Sequence, residues 1–113
     1  MIIETENEYW TWIKNPENLD LNRMLSGYPQ NGYGKYLFFS EDRSLLLYLL
    51  KTEIEKFGFA SSKVCVTPKA IDYVACLYWY DNSRSRELAA RNYGCRGPYW
   101  KTDEDTLAGV YSK

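Results

Sequence analysis

The stretch from Ser62 to Asp81 limits the possible folds of this chain more than any other. Lys63-Val64-Cys65-Val66-Thr67 alternates as a strand, Pro68-Lys69-Ala70-Ile71 makes a turn, and the run from Asp72 to Asp81 returns beside it. β-branched and aromatic side chains suit a pleated surface, and neither run repeats at helical spacing. The returning run is apolar or aromatic on both faces, which predicts a strand near the middle of a sheet. Period-two alternation puts Lys63, Cys65 and Thr67 on one face and Val64 and Val66 on the other. One side of the hairpin is therefore apolar, and the other presents a lysine to a ligand.

A chain of 113 residues has material for a single domain, residues 1–113, with one core. Its apolar fraction of 45% and charged fraction of 26% argue against wholesale disorder. A formal net charge of -1 excludes a surface that is basic all over. Any affinity for nucleic acid must then be a local patch, and long duplex binding driven by counterion release is not expected. Four Trp and eleven Tyr serve either as core and rim packing or as a groove on which a base or another flat ligand stacks.

Cys65, Cys76 and Cys95 are odd in number and lack C-x-x-C spacing, and the chain has no histidine. No metal site and no cofactor are expected from such a set, and reduced thiols of a cytoplasmic protein are the default. The opening Met1-Ile2-Ile3-Glu4-Thr5-Glu6 has two acids and no basic segment. No apolar run approaches the ~20 residues of a membrane span, so a soluble protein without a membrane partner is expected.

Along the chain, Glu8–Lys14 alternates as a first strand, with Trp10 and Trp12 on one face and Tyr9, Thr11 and Ile13 on the other. Residues Leu19–Tyr33 read as a loop with one helical turn at most. Gly34–Ser40 is a second strand on which Lys35, Leu37 and Phe39 project the same way. Ser40 is placed to cap a helix from about Glu41 to Phe57, with Leu46, Leu50, Ile54 and Phe57 as its stripe and Gly58 as its stop. After the hairpin, Asp81, Asn82 and Ser83 are candidate caps for a second helix ending near Tyr93-Gly94. Cys95–Pro98 is a turn, Tyr99–Lys101 a short strand, Thr102–Thr106 a polar connection and Leu107–Tyr111 a last strand. The order β-β-α-β-β-α-β-β predicts an α+β fold, a mainly antiparallel curved sheet of about six strands with two helices packed on one face.

Arg84 and Arg86 in the first turn of the second helix either pair with Asp81 or Glu87 or receive a phosphate or carboxylate beside free N–H groups. The triplet Asp103-Glu104-Asp105 reads as a solvated turn.

Four segments carry a resemblance. Tyr99-Trp100-Lys101-Thr102-Asp103-Glu104-Asp105-Thr106-Leu107-Ala108-Gly109-Val110-Tyr111 resembles the closing motif of the phosphothreonine lyase domain-containing family, the group of the basophilic leukaemia expressed protein. Tyr9–Ile13 with Asn15-Pro16, Gly34–Phe39, and Ser62-Lys63-Val64 with Tyr78–Asp81 are similar to its opening, its Gly-Lys-aromatic strand and its central hairpin. The resemblance implies a fold similar to translation initiation factor 4E. It also implies a likeness to lyases that expel phosphate from phosphothreonine by β-elimination, with a lysine base, a histidine acid and a basic cradle. Lys63 would take the place of the base, with Lys35, Lys101, Arg84, Arg86 and Arg96 as the cradle; this chain has no histidine to take the place of the acid.

Three functions follow as expectations. The first is a binding module for a phosphorylated ligand: a nucleotide, a cyclic nucleotide or a short single-stranded nucleic acid. Trp10, Trp12, Tyr36, Tyr78, Trp79, Tyr80 and Trp100 would supply stacking, and the lysines and arginines named above would hold phosphate. The second is an enzyme acting on a phosphate ester through Lys63. The third is a protein-interaction or inhibitor domain that uses exposed aromatics as anchors for a protein partner.

Overall fold

The computed structural model describes residues 2–17 and 34–102. The expected loop at Leu19–Tyr33 and the last strand at Leu107–Tyr111 lie outside the described residues, as does the acidic triplet. Among the described residues, six strands form one open antiparallel sheet in the order β1-β2-β4-β5-β3-β6. They are β1 (Ile3–Glu6), β2 (Trp10–Lys14), β3 (Gly34–Ser40), β4 (Ser61–Cys65), β5 (Tyr73–Trp79) and β6 (Arg96–Thr102). Helix α1 (Arg43–Lys56) joins β3 to β4, and α2 (Ser85–Arg91) joins β5 to β6. The class is α+β, as expected.

Strands β3 and β4 are both antiparallel to β5, so they run parallel to each other with β5 between them. By the same reasoning β5 and β6 run parallel with β3 between them. Two split β-α-β units thus interlock, and β1 and β2 extend the sheet at the β4 edge.

Side-chain parity decides what each face of the sheet holds. Ile13, Val64, Ala75, Leu77, Tyr36 and Phe38 face the helices and join Leu46, Leu49, Leu50, Ile54 and Leu88 in one buried cluster with Phe59. α1 and α2 therefore cover the same face. Fully burying one of these leucines is worth roughly 1.5–3 kcal/mol, so the stripe on α1 anchors the helix regardless of its caps.

Several boundaries differ from expectation, each for a local reason. Asp42, not Ser40, caps α1: its Oδ1 accepts the Ser44 and Leu45 N–H groups at 2.9 and 3.3 Å. Ser40 Oγ instead accepts the Asp42 N–H at 3.0 Å and shapes the turn before the helix. Phe57 belongs to the C-cap and is 37% exposed, while Glu53 takes a fully buried place on the stripe. Gly58, at φ +83, turns the chain out of the helix. Asn92, in the left-handed region, ends α2 before Gly94.

The segment Met1–Glu6 also contains a strand that its composition concealed. Glu4 and Glu6 alternate toward the helix side, where Lys51 pairs with Glu4 at 3.0 Å and Arg43 lies 3.6 Å from Glu6. Cys95–Pro98 is not simply a turn, since β6 begins at Arg96 and a register shift between Leu37 and Phe39 accommodates Gly97 and Pro98. An edge strand tolerates a proline whose nitrogen need not serve the ladder. No helix among the described residues is long and apolar enough to cross a membrane.

Candidate ligand-binding face

Alternation that sends Ile13, Val64 and Leu77 into the core sends Trp12, Lys63, Cys76 and Tyr78 to the opposite face. Register places Trp12 beside Lys63, Lys63 beside Cys76, Cys76 beside Leu37, and Lys35 between Tyr78 and Lys101. Lys14, Lys35, Lys63 and Lys101 all project here, on four different strands. The strand residues described on this face include no carboxylate, because Glu4 and Glu6 belong to the helix side.

Lys63 is the centre of the arrangement. Its ammonium lies 4.0 Å from the ring centroid of Trp10 and 5.0 Å from that of Trp12. Desolvation lowers its pKa first, the nearby Cys76 opposes that shift, and the positive charges of Lys35 and Lys69 add to it. Burial pushes the Cys76 thiol up, while Lys35, Lys63 and Lys101 each pull it down. Three ammonium groups from β3, β4 and β6 therefore act on one buried sulfur.

The rings divide by parity. Trp10, Trp12 and Tyr78 lie on the lysine face, and Trp12 and Tyr78 stand nearly parallel, 11° apart with centroids 6.4 Å from each other. Tyr36 is fully buried on the helix side, its hydroxyl donating to the Asp81 carbonyl at 3.1 Å and accepting the Arg84 N–H at 2.9 Å. Trp100 packs 4.7 Å from Tyr36. Trp79 packs 4.9 Å from Phe59, and Tyr80 stacks on Trp79 at 4.6 Å. Tyr36, Trp79 and Trp100 thus serve the core, and Tyr80 rests on the outside of Trp79.

The structure does not bring the arginines to the lysines. Arg84 gives Glu87 two hydrogen bonds, at 2.8 and 2.7 Å, donates to the Phe57 carbonyl at 2.7 Å, and lies over Phe59 and Trp79. It is a clamp between the end of α1 and the start of α2. Arg86 lies in a shallow depression of about 370 Å³ with Ser85, Ala89 and Pro98. Arg96 pairs with Asp72 and lines a depression of about 640 Å³ shared with Glu41 and Asp42, whose carboxylates repel an anion.

Two lysines of the site escaped the sequence reading. Lys14 lies 5.1 Å from the Trp12 ring and Lys69 lies 5.5 Å from the Trp10 ring. Lys14 shares the period-two parity of Trp10 and Trp12, so alternation alone was enough to find it. Lys69 stands in the hairpin turn, where no periodicity assigns a face. Cys65, Cys76 and Cys95 are free thiols, and among the described residues no three Cys, Asp or Glu side chains gather as a metal would require. What this face offers chemically is positive charge beside flat rings, with one lysine whose ammonium is easier to deprotonate than usual.

No family model, curated protein or solved structure matches this chain. The resemblance drawn from Tyr99–Tyr111 therefore rests on those residues and on the three segments that accompany them.

Proposed function

We propose that the lysine face binds a phosphorylated ligand that carries a flat ring, such as a nucleotide, a cyclic nucleotide or a short single-stranded nucleic acid. The observation that carries this reading is Lys63, held between Trp10 and Trp12 and repelled by Lys35 and Lys69 on a face without a described strand carboxylate. An anion relieves that repulsion, and a base or similar ring replaces an ammonium on an indole face. Titration with mononucleotides, cyclic dinucleotides and a phosphothreonine peptide, followed by tryptophan fluorescence, tests it. Silence from every phosphorylated ligand removes the reading.

The pKa of Lys63 supplies a further expected result. Anion binding needs the protonated ammonium, and the folded pKa lies below the ordinary lysine value of 10.5. Affinity therefore falls as pH rises, starting below the pH at which an exposed lysine would lose its charge. Lys63→Arg, which stays charged throughout, is expected to remove that fall. Lys63→Ala is expected to weaken binding by about 10- to 100-fold, the worth of a charge-assisted hydrogen bond. A pH profile unchanged by Lys63→Arg assigns the titration to another group.

The same lowered pKa supports a second reading, in which Lys63 abstracts a proton in a phosphate lyase. That reading needs a proton donor other than histidine for the leaving group. Phosphate release from a phosphothreonine peptide that is lost in Lys63→Ala supports it, and binding without turnover counts against it.

A further inference from the structure

The lysines and rings of the lysine face extend as a series from the hairpin turn to β3. Lys69 lies 5.5 Å from the Trp10 ring, and Lys63 lies 4.0 Å from Trp10 and 5.0 Å from Trp12. Lys14 lies 5.1 Å from Trp12, Trp12 stands 6.4 Å from Tyr78, and Lys35 lies 5.9 Å from Tyr78. The series runs from the hairpin turn across β2, β4 and β5 to β3, with Lys14 beside Trp12 and with Trp12 and Tyr78 adjoining ring to ring.

Resting on the reading given above, we propose that the ligand of this face is a single-stranded nucleic acid that engages several consecutive nucleotides, not one mononucleotide. A mononucleotide brings one base and one group of phosphates, so it would occupy one ring and the lysines beside it. A single strand repeats base and phosphate alternately, and from Lys69 through Trp10 and Lys63 to Trp12 the protein repeats ammonium and ring alternately, with the Tyr78 ring and Lys35 beyond. Trp10 and Trp12, two residues apart on one strand, are offset by about 6.6 Å, which gives separate platforms to separate bases. Tyr78 of β5 stands nearly parallel to Trp12 and continues the row of rings. Each ring has an ammonium within reach to receive a phosphate, the combination by which proteins hold single strands without reading their sequence.

Two observations argue against a duplex. Its bases are already stacked and offer no free faces to Trp10 and Trp12. The net charge of -1 also leaves the positive groups confined to a local track, too small to neutralise two backbones. A sheet face with α1 and α2 behind it is also a platform that RNA-binding domains use, a likeness of architecture alone.

The test uses the full 113-residue chain with oligothymidylates and oligouridylates of one to eight nucleotides, read by tryptophan quenching between 50 and 200 mM salt. Affinity is expected to rise with length to about four nucleotides and then to level off. With Lys14, Lys35, Lys63 and Lys69 each meeting one phosphate, log affinity against log salt should have a slope of about -2.8. Trp10→Ala and Trp12→Ala are each expected to cost about 5- to 150-fold, with Trp12→Phe recovering most of the loss. Lys69→Ala should make the slope shallower by about 0.7. Oligodeoxyuridylates, which share the base of the oligouridylates and lack the 2′-OH, separate the sugars: tighter binding of the ribose strand assigns RNA and the reverse assigns DNA, and either order supports the proposal. Mononucleotide affinity equal to that of the octamer overturns the proposal and leaves the phosphorylated-ligand reading in place. A hairpin duplex that competes as well as a single strand also overturns it. Should mononucleotides bind while oligonucleotides gain nothing over them, this proposal falls alone; should all oligonucleotides and mononucleotides fail, the flat-ring reading falls with it, whether or not the phosphothreonine peptide binds.

Discussion

Glu53→Ala is expected to destabilise the protein by about 3–5 kcal/mol, the cost of removing one partner from a buried ion pair. Glu53 is fully buried on α1, and its carboxylate accepts Arg91 Nε and a terminal Arg91 nitrogen, each at 2.5 Å, and the Tyr93 hydroxyl at 2.5 Å. Arg91 also lies 3.7 Å from the Phe57 ring centroid and donates to Glu87 at 3.0 Å. Truncating Glu53 leaves a mostly buried guanidinium with only the outer carboxylate, and the hydroxyl loses its acceptor. Denaturant unfolding checks the loss, and the double variant Glu53→Leu with Arg91→Met should recover much of it, because no charge then stays buried. A loss below about 1 kcal/mol would mean that this network does not hold α1 to the end of α2.

Acid weakens the same clamp. Hydrogen bonding from Arg84, aided by Arg91, holds the Glu87 carboxyl down at about 2, against an ordinary value of 4.5. A folded pKa below the unfolded one gives stability that is present above the ordinary carboxylate range and is lost as pH falls from about 4.5 through about 2. Stability measured against pH should fall across that window, and Glu87→Gln should flatten the fall.

Parity was the most legible property of the sequence. Alternation in Glu8–Lys14, Gly34–Ser40 and the central hairpin separated Trp10, Trp12, Lys35 and Lys63 from Thr11, Ile13, Tyr36 and Val64, and the sheet holds that separation. The hairpin's returning strand, apolar on both faces, sits inside the sheet with β4 and β3 on either side. Rings were harder to assign, because Trp79 and Trp100 are as amphipathic as Trp12, and only register shows that they face Phe59 and Tyr36. The arginines were harder again. Arg84 sits where an anion site would be, yet Glu87, three residues on, takes both of its forks. Charge alone does not distinguish a cation waiting for a ligand from one already paired, and the sequence offered Glu87 as the alternative. β1 was hidden because two glutamates in four residues resemble a solvated leader until Lys51 and Arg43 of α1 are seen opposite them.

The largest effect expected at the edge of the site comes from a glycine. Gly34 begins β3, pairs with Trp79 on one side and Thr102 on the other, and is buried. A Cβ there would lie 2.3 Å from the Lys101 carbonyl oxygen and 2.8 Å from Thr102 Cα. Both are backbone atoms, so no side chain can rotate away, and β3 and β6 must separate. Gly34→Ala is expected to cost at least about 3 kcal/mol, the upper end for overpacking. Because Lys35 is the next residue of β3 and pairs with Lys101 across the same two strands, separation also disturbs the register that holds Lys35 on the lysine face and weakens anion binding. Gly58→Ala makes the contrast: its Cβ meets nothing within 4 Å, and its φ of +83 alone opposes a side chain. That should cost only about 1–2 kcal/mol and leave anion affinity unchanged, since Gly58 touches no part of the lysine face. Unfolding curves and anion titrations on the two variants separate a clash between strands from a strained turn. Equal stability losses, or an anion affinity untouched in Gly34→Ala, would show that the close approach of β3 and β6 does not hold Lys101 beside Lys35.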